Sequence, residues 1–400
     1  MKFIAVISIL FMLGFVKLTH AQDGSIVAWG LNGEGQCDVP APNTSFIAVE
    51  CGFSHSLGLK ADSSIVAWGN NDYYQCNIPT PNTDFIAVAA GGFHSLGLKA
   101  DGSIVGWGNN LSGQCNVPSP NTGFIAVASG FHHSLGLKED GSIVAWGRNT
   151  FDQCDVPTPN TDFIAVAGGN HHTLGLKEDG SIVAWGYNEH GQCNVPTPNT
   201  GFIAVAGGYL HTLGLKKDSS IVAWGANGAG QCNIPSPNTN FVAVSCGYIH
   251  SLGLRKDGSI VAWEWNNEGQ CDVPPPNEGF IAVAAGGYTS HGLYDYNTGI
   301  ENAPAPLNIL QISSIYPNPF DKTTSILFQS PELASITLEI YDVSGRLVKS
   351  QELRALSEGQ HTVLWDSNSS SDAALANGVY IIRLASEFGS SATACVILLR

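Results

Sequence analysis

Short apolar runs alternate with glycine-rich polar breaks along most of the chain. Phe163-Ile164-Ala165-Val166-Ala167 is followed by His172-Thr173-Leu174-Gly175-Leu176, and that by Ser181-Ile182-Val183-Ala184-Trp185. Runs of this length between glycines and polar turns predict strands. Glu178-Asp179-Gly180 joins the second run to the third, and Asp-Gly in such a place predicts a tight hairpin. Ile182 and Ala184 would face one way, Val183 and Trp185 the other, so each small sheet is apolar on both faces and must be sandwiched between neighbours. The next segment, Gln192-Cys193-Asn194-Val195-Pro196-Thr197-Pro198-Asn199-Thr200, is a candidate for a short fourth, outer strand, because an edge tolerates proline.

The pattern recurs with a fixed period. Its tryptophan stands at Trp29, Trp68, Trp107, Trp146, Trp185, Trp224 and Trp263, in steps of 39 residues. A period of this size means stacked supersecondary units. The first-strand motif begins at Phe46, Phe85, Phe124, Phe163, Phe202, Phe241 and Phe280. Small residues in that strand let units crowd around an axis, which predicts a β-propeller. The chain starts on a tryptophan strand and the repeat region ends on a first and second strand. The expected fold is therefore all-β: a seven-bladed propeller closed by pairing the N- and C-terminal strands, over residues 22–300.

Flanking segments add two domains. Residues 1–21 combine a basic start, an apolar core and a final small residue, the pattern of a secretory signal peptide. Without Lys2 and Lys17 the mature chain has 15 basic and 33 acidic residues, a net charge near −18. No basic run is present, so nucleic acid is a poor partner. Residues 301–314, with Pro304 and Pro306, read as a linker. Beyond it, Ser325–Gln329, Ser335–Val343, Arg346–Glu352, His361–Asp366, Gly378–Ala385 and Ala392–Leu399 read as strands, with a hairpin at Asp342-Val343-Ser344-Gly345-Arg346. That many short strands in residues 315–400 predict an Ig-like sandwich.

The repeat Gly-x-x-His-Ser-Leu-Gly-Leu-Lys-x-Asp-Gly-Ser-Ile-Val-x-Trp-Gly-x-Asn-x-x-Gly-Gln resembles that of the regulator of chromosome condensation family, over residues 23–293. Its compact period is most similar to bacterial secreted members, and a proteinaceous β-lactamase inhibitor is built from similar units. The tail carries Tyr316-Pro317-Asn318-Pro319-Phe320, Trp365-Asp366, Asn377-Gly378-Val379-Tyr380 and Val396-Ile397-Leu398-Leu399-Arg400. These resemble the C-terminal sorting domain of type IX secretion cargo and the related flagellar-hook-cap Ig-like domain. That resemblance implies export by a Gram-negative bacterium, to the medium or the outer-membrane surface, through the secretion machinery.

Candidate chemistry is sparse. His55, His94, His133, His172, His211 and His250 share one register position, and Thr289 takes the seventh. A ring of imidazoles invites a metal, yet ligands must converge on one point. The expected role, implied by the family resemblance, is one structural hydrogen bond inside each blade, with no metal and no cofactor. Cys37, Cys76, Cys115, Cys154, Cys193, Cys232 and Cys271 are also in register and read as small buried hydrophobes. Cys37–Cys51 and Cys232–Cys246 are alternative local disulfides. Asp62, Asp101, Asp140, Asp179, Asp218 and Asp257 are explained by the hairpin turn. With no nucleophile–base pattern breaking the repeat, an enzyme is not expected.

The copies differ in two places that share one face. The loops after the tryptophan offer Tyr73, Tyr74, Phe151, Tyr187, His190 and Trp265, and the loops before the histidine offer Phe53, Phe93, Phe131, Tyr209, Tyr248 and Tyr288. Exposed aromatics among scattered acids have the composition of a recognition surface; packing of the pre-histidine aromatics between blades is the alternative. The expected molecule is a monomeric, secreted or cell-surface binding scaffold for an extracellular protein or a surface glycan. The alternatives are a secreted inhibitor of an extracellular enzyme and a propeller hydrolase without a recognisable motif.

Overall fold

A computed structural model describes residues 24–295 and, in the tail, residues 311–316, 320, 322–330, 334–342, 346–357, 359–367, 375–386 and 391–398. The expected signal peptide 1–21, residues 301–310 of the expected linker, and residues 343–345 of the expected tail hairpin lie outside these. The chain divides into two compact units, Met1–Ile300 and Glu301–Arg400.

One repeat folds as an inner strand Phe163–Gly168, a middle strand His172–Lys177 and an outer strand Ile182–Gly186, all antiparallel. Six such blades follow one another from Phe46–Cys51 to Ile260–Glu264. Inner strand Phe280–Ala285 then pairs with Thr289–Asp295, and Gly24–Gly30 pairs along the other side of that strand, from Gly24 opposite Asp295 to Gly30 opposite Thr289. Each inner strand packs on the next, and Phe280–Ala285 packs on Phe46–Cys51, so the series returns on itself as a β-propeller.

Apolar contacts between blades form the core. Leu135, Leu137 and Ile143 of one blade meet Phe163, Val166 and Trp185 of the next. The outer strand does not alternate cleanly: Ile182 and Trp185 are buried while Val183 and Ala184 are half-buried. Gly136 shows why the middle strand carries a glycine, since a Cβ there would lie 2.5 Å from the Phe124 ring.

The segment after the tryptophan is not a fourth strand; the blades have three. Asn160 instead clamps the outer edge, its Oδ1 accepting from Ile143 N and its Nδ2 donating to Ile143 O, each at 2.8 Å. One amide thus makes the pair of bonds a neighbouring strand would make, and Asn43, Asn82, Asn121, Asn199, Asn238 and Asn277 do the same.

The histidines also differ from expectation, bonding between blades and not within one. His94 Nε2 lies 2.9 Å from Ser134 Oγ of the next blade. The Ser134 hydroxyl donates to Gln114 O at 2.8 Å, so its oxygen accepts the Nε2 proton. Trp146 Nε1 donates to the same carbonyl at 2.9 Å. Burial pushes the histidines down, His94, His133 and His211 to about 3 and His55, His172 and His250 to about 4, so all are neutral near pH 7. Where Gly24–Gly30 joins, Trp29 Nε1 donates to Gln270 O at 2.9 Å, continuing the series through the two ends of the ring. The copy lacking its histidine is served otherwise. His291, which stands where other copies have leucine, places Nε2 3.2 Å from both Ser56 Oγ and Gln36 O.

The tail unit has a three-stranded sheet, in the order Gln311–Tyr316, Thr323–Ser330, Gly359–Asp366. Its four-stranded sheet runs in the order Leu347–Leu356, Ala334–Asp342, Gly378–Ser386, Ser391–Leu398. Trp365, Phe328, Ile336, Leu338 and Ile382 fill its core. The first strand was missed in the sequence and begins inside the segment read as a linker.

Asn160→Ala removes both bonds to Ile143 and is expected to cost about 1–3 kcal/mol, and Asn160→Asp, which keeps the acceptor but turns a carboxylate oxygen onto Ile143 O in place of the Nδ2 donor, is expected to be destabilised as well. Urea unfolding of the full chain measures both.

Candidate binding face

Strand pairing fixes which loops share a face. His55 lies opposite Gly69 and Cys51 opposite Ser56, so the loops before the histidines and after the tryptophans stand at one end of every blade. The hairpin turns stand at the other, where Asp62 Oδ1 accepts from Ser64 N and Ser64 Oγ, as turn chemistry predicts. Lys60 Nζ lies over the Phe46 ring there, at 4.0 Å from its centroid. Of the nine Lys and Arg residues between 24 and 295, eight end the middle strand or directly follow it, at this hairpin end. Arg148 is the exception, on the aromatic face among Glu34, Asp72, Asp152, Glu189 and Glu268.

Each post-tryptophan loop is held by the same bonds. Asn149 Oδ1 accepts from Cys154 N at 2.8 Å and its Nδ2 donates to Asp155 Oδ1 at 2.7 Å, while Gln153 Oε1 accepts from Phe151 N at 2.9 Å. The Cys154 thiol donates to Arg148 O at 3.3 Å, and burial pushes its pKa up to about 12. The register cysteines are half-buried free thiols, and neither alternative disulfide is formed. A constant frame therefore presents variable side chains, the usual arrangement of a recognition loop.

The pre-histidine aromatics converge over the propeller axis. Phe53 lies 5.4–5.9 Å from the rings of Phe93, Phe131, Tyr248 and Tyr288, and Tyr248 stacks on Tyr209 at 4.0 Å. All six are half-buried. Ring-to-ring contact continues outward. Tyr73 meets Phe93 at 5.3 Å, Phe131 meets His132 at 4.7 Å, and His132 stacks with His171 at 6.4 Å. His171 meets Phe151 at 5.2 Å, Phe151 meets Tyr187 at 4.9 Å, and Tyr187 meets His190 at 6.1 Å. Ten of the twelve residues singled out in the sequence join this network; Tyr74 and Trp265 stay outside it and are exposed. Its missing links, His132 and His171, were legible as the extra histidines of His132-His133 and His171-His172. Leu111, 90% exposed in its loop, was also missed.

The buried His–Ser and His–Thr pairs are not nucleophiles. Their serines and threonines are 0% exposed and six of the seven middle-strand hydroxyls donate to a glutamine carbonyl. Among the described residues no group of three or more His, Cys, Asp or Glu is placed to hold a metal ion.

Glu264 departs most sharply from the repeat. It replaces the glycine that follows each tryptophan and adopts φ +96°, as Gly147 adopts +103°. Ser251, whose counterparts donate to a glutamine carbonyl, donates to Glu264 Oε1 at 3.1 Å, and Oε2 has no partner among the described residues. Trp263 Nε1 then sits 3.3 Å from Gln231 O. Burial pushes the Glu264 carboxyl up to about 8.

Comparison with known families adds two matches. The regulator of chromosome condensation (RCC1) repeat matches residues 46–75, 85–114, 124–153, 163–192, 202–231 and 241–270. The FlgD Ig-like domain matches residues 314–390. Comparison with curated proteins returns no match. Among solved structures, Prp20p from Saccharomyces cerevisiae, described with its binding properties to Gsp1p and histones, is 18% identical with a TM-score of 0.60, covering 70% of this chain and 93% of its own. Human WBSCR16 is 17% identical with a TM-score of 0.54, covering 68% and 99%. The receptor kinase CR4 ectodomain of Physcomitrella patens is 24% identical with a TM-score of 0.51, covering 59% and 65%. These are likenesses of fold.

Glu264→Gly restores the residue of the other copies and is expected to add about 1–3 kcal/mol of stability by relieving strain. The folded carboxyl holds its proton up to about pH 8, against 4.5 unfolded. Its contribution therefore weakens as pH rises through that window, and the gain from the glycine should grow from pH 5 to about 8. The buried histidines act oppositely, costing stability as pH falls below their ordinary value, so the difference between the two proteins isolates Glu264. Thermal melts across pH read it.

Proposed function

We propose that this chain, which carries six regulator of chromosome condensation repeats folded as a propeller, is a non-catalytic binding scaffold. Its partner is an extracellular protein or a surface glycan, engaged by the aromatic face. The observation that carries this reading is the ring-to-ring aromatic path from Tyr73 to His190, laid on loops of constant frame where the copies differ. Aromatic side chains supply large contact area at low entropic cost, which suits them to a docking surface. With one cation and many acids on that face, a complementary partner is basic and apolar.

The ring is read as seven-bladed, its last blade made by Phe280–Ala285, Thr289–Asp295 and Gly24–Gly30. The pairing of Gly24–Gly30 along Thr289–Asp295 supports this. Residues 1–21 supply the export signal, and the Ig-like unit acts as the sorting domain that takes the protein to the medium or the outer-membrane surface of a Gram-negative bacterium. The residue motifs of the tail support that assignment. Every His–Ser and His–Thr pair is sealed between blades, which argues against a hydrolase.

The full chain, immobilised in culture medium and envelope extract, should capture a partner whose recovery falls about tenfold or more when Tyr73, Tyr74, Phe151, Tyr187 and Trp265 are all changed to alanine. Equal recovery by a folded variant would refute the aromatic face as the docking surface. Capture of one enzyme with loss of its activity would assign the inhibitor role instead.

A further inference from the structure

The inner strands enclose an axial cavity of roughly 270 Å³. Its walls are mostly alanine, glycine and valine, with Ser129, Asn170 and Ser245 set among them, and Phe53, Phe131, Tyr209 and Tyr248 line its aromatic end. Glu50 is the one charged residue in the lining. The other copies hold Ala89, Ala128, Ala167, Ala206, Ser245 and Ala284 at this position, so a methyl group satisfies the packing. Glu50 is half-buried, open to a small solute in the cavity. Its carboxyl makes no hydrogen bond or ion pair with any described residue. A carboxyl group among apolar walls is costly unless something pairs with it.

We propose that the axial cavity binds a small organic ammonium ion, its charge held between the Glu50 carboxylate and the aromatic rings above it. Ring faces attract cations by their quadrupole, and a desolvated site strengthens that attraction. Glu50 precedes Phe53 by three residues, a reach of at most ~11 Å of extended chain, so one small cation can touch both. The alanine and valine walls suit methyl or methylene groups on the ammonium nitrogen. With no lysine, arginine or histidine in the lining, the cavity offers an anion no opposite charge, while Glu50 offers one to a cation. The volume sits near the lower end for ligand pockets, which fits a choline-sized molecule and excludes a peptide. The cavity shares Phe131 with the aromatic path of the rim, but Glu50 and the inner-strand walls lie outside that path, so the proposal stands whether or not a macromolecule docks there.

The proposal carries a pH signature. Burial pushes Glu50 up to about 7. The other titratable groups facing the cavity are Cys51, Cys246, Tyr209 and Tyr248, and the inner strands on either side of Glu50, Phe85–Ala90 and Phe280–Ala285, contribute none. Burial pushes Cys51, Cys246 and Tyr248 upward, away from the working range. Affinity for a permanently charged cation should therefore rise about tenfold from pH 6 to pH 8.

Isothermal titration of the full chain with choline, and with its uncharged carbon isostere dimethylbutanol, tests this. Choline is expected to bind about tenfold more tightly at pH 8 than at pH 6, with the isostere weaker at pH 8 and indifferent to pH. Glu50→Gln, which keeps the shape of the side chain, should weaken choline at pH 8 and abolish the pH dependence. Absence of choline, tetramethylammonium and methylammonium binding at millimolar concentration would overturn the proposal. So would equal binding of the isostere, or unchanged choline binding by the Glu50→Gln protein. The isostere and pH arms use the unaltered protein, so they decide the matter even where the variant fails to fold.

Discussion

A glutamine carbonyl is the joint on which the propeller turns. Gln114 O, like five of its six counterparts, receives the indole N–H of the next blade's tryptophan and the hydroxyl of the next blade's middle strand. Burying an oxygen with two lone pairs is tolerable when both are used, and here both come from the neighbour. The hydroxyl that donates downward is left to accept from the histidine of the preceding blade. Each interface is thereby keyed in orientation, while Leu135, Leu137 and Phe163 supply the apolar area. Apolar packing alone would tolerate a slide of one blade along another; the carbonyl does not.

Departures from the repeat gather where this joint is altered. Thr289 cannot reach Ser56, and His291 does so from two residues farther along the strand. Its other nitrogen meets the Cys51 thiol at 2.9 Å, so two positions outside the repeat pattern compensate each other. Glu264 does the reverse, drawing the Ser251 hydroxyl away from its carbonyl and lengthening the tryptophan bond. A backbone angle that suits glycine and a buried, half-paired carboxyl are both costly, and the Ser251 bond from the neighbouring strand offsets them only in part.

Period, strand order and the hairpin were legible in the residues because each is set locally, by spacing and by Asp-Gly chemistry. The mistaken fourth strand came from prolines that do fit an edge; what replaced it, the Asn160 amide, bonds to Ile143 from 17 residues away. The histidine partner was placed in the wrong blade for a similar reason, since His94 and Ser134 are 40 residues apart. The aromatic network was half legible. Composition pointed to the loops, yet the meeting of Phe53 with Tyr248 and Phe131 depends on loops converging on an axis. Glu50 could have been found by aligning the copies, where it is the one acid at its position.

The strand that closes the ring is also where the chain leaves it. Thr289–Asp295 lies between Phe280–Ala285 and Gly24–Gly30, laddered on both sides. Any pull applied to the chain beyond Asp295 would enter the propeller at that residue. Were this an edge strand, tension would peel it away one bond at a time. Seated between two partners, it yields only when both ladders shear together, so the clasp that completes the circle also serves as its anchor under force.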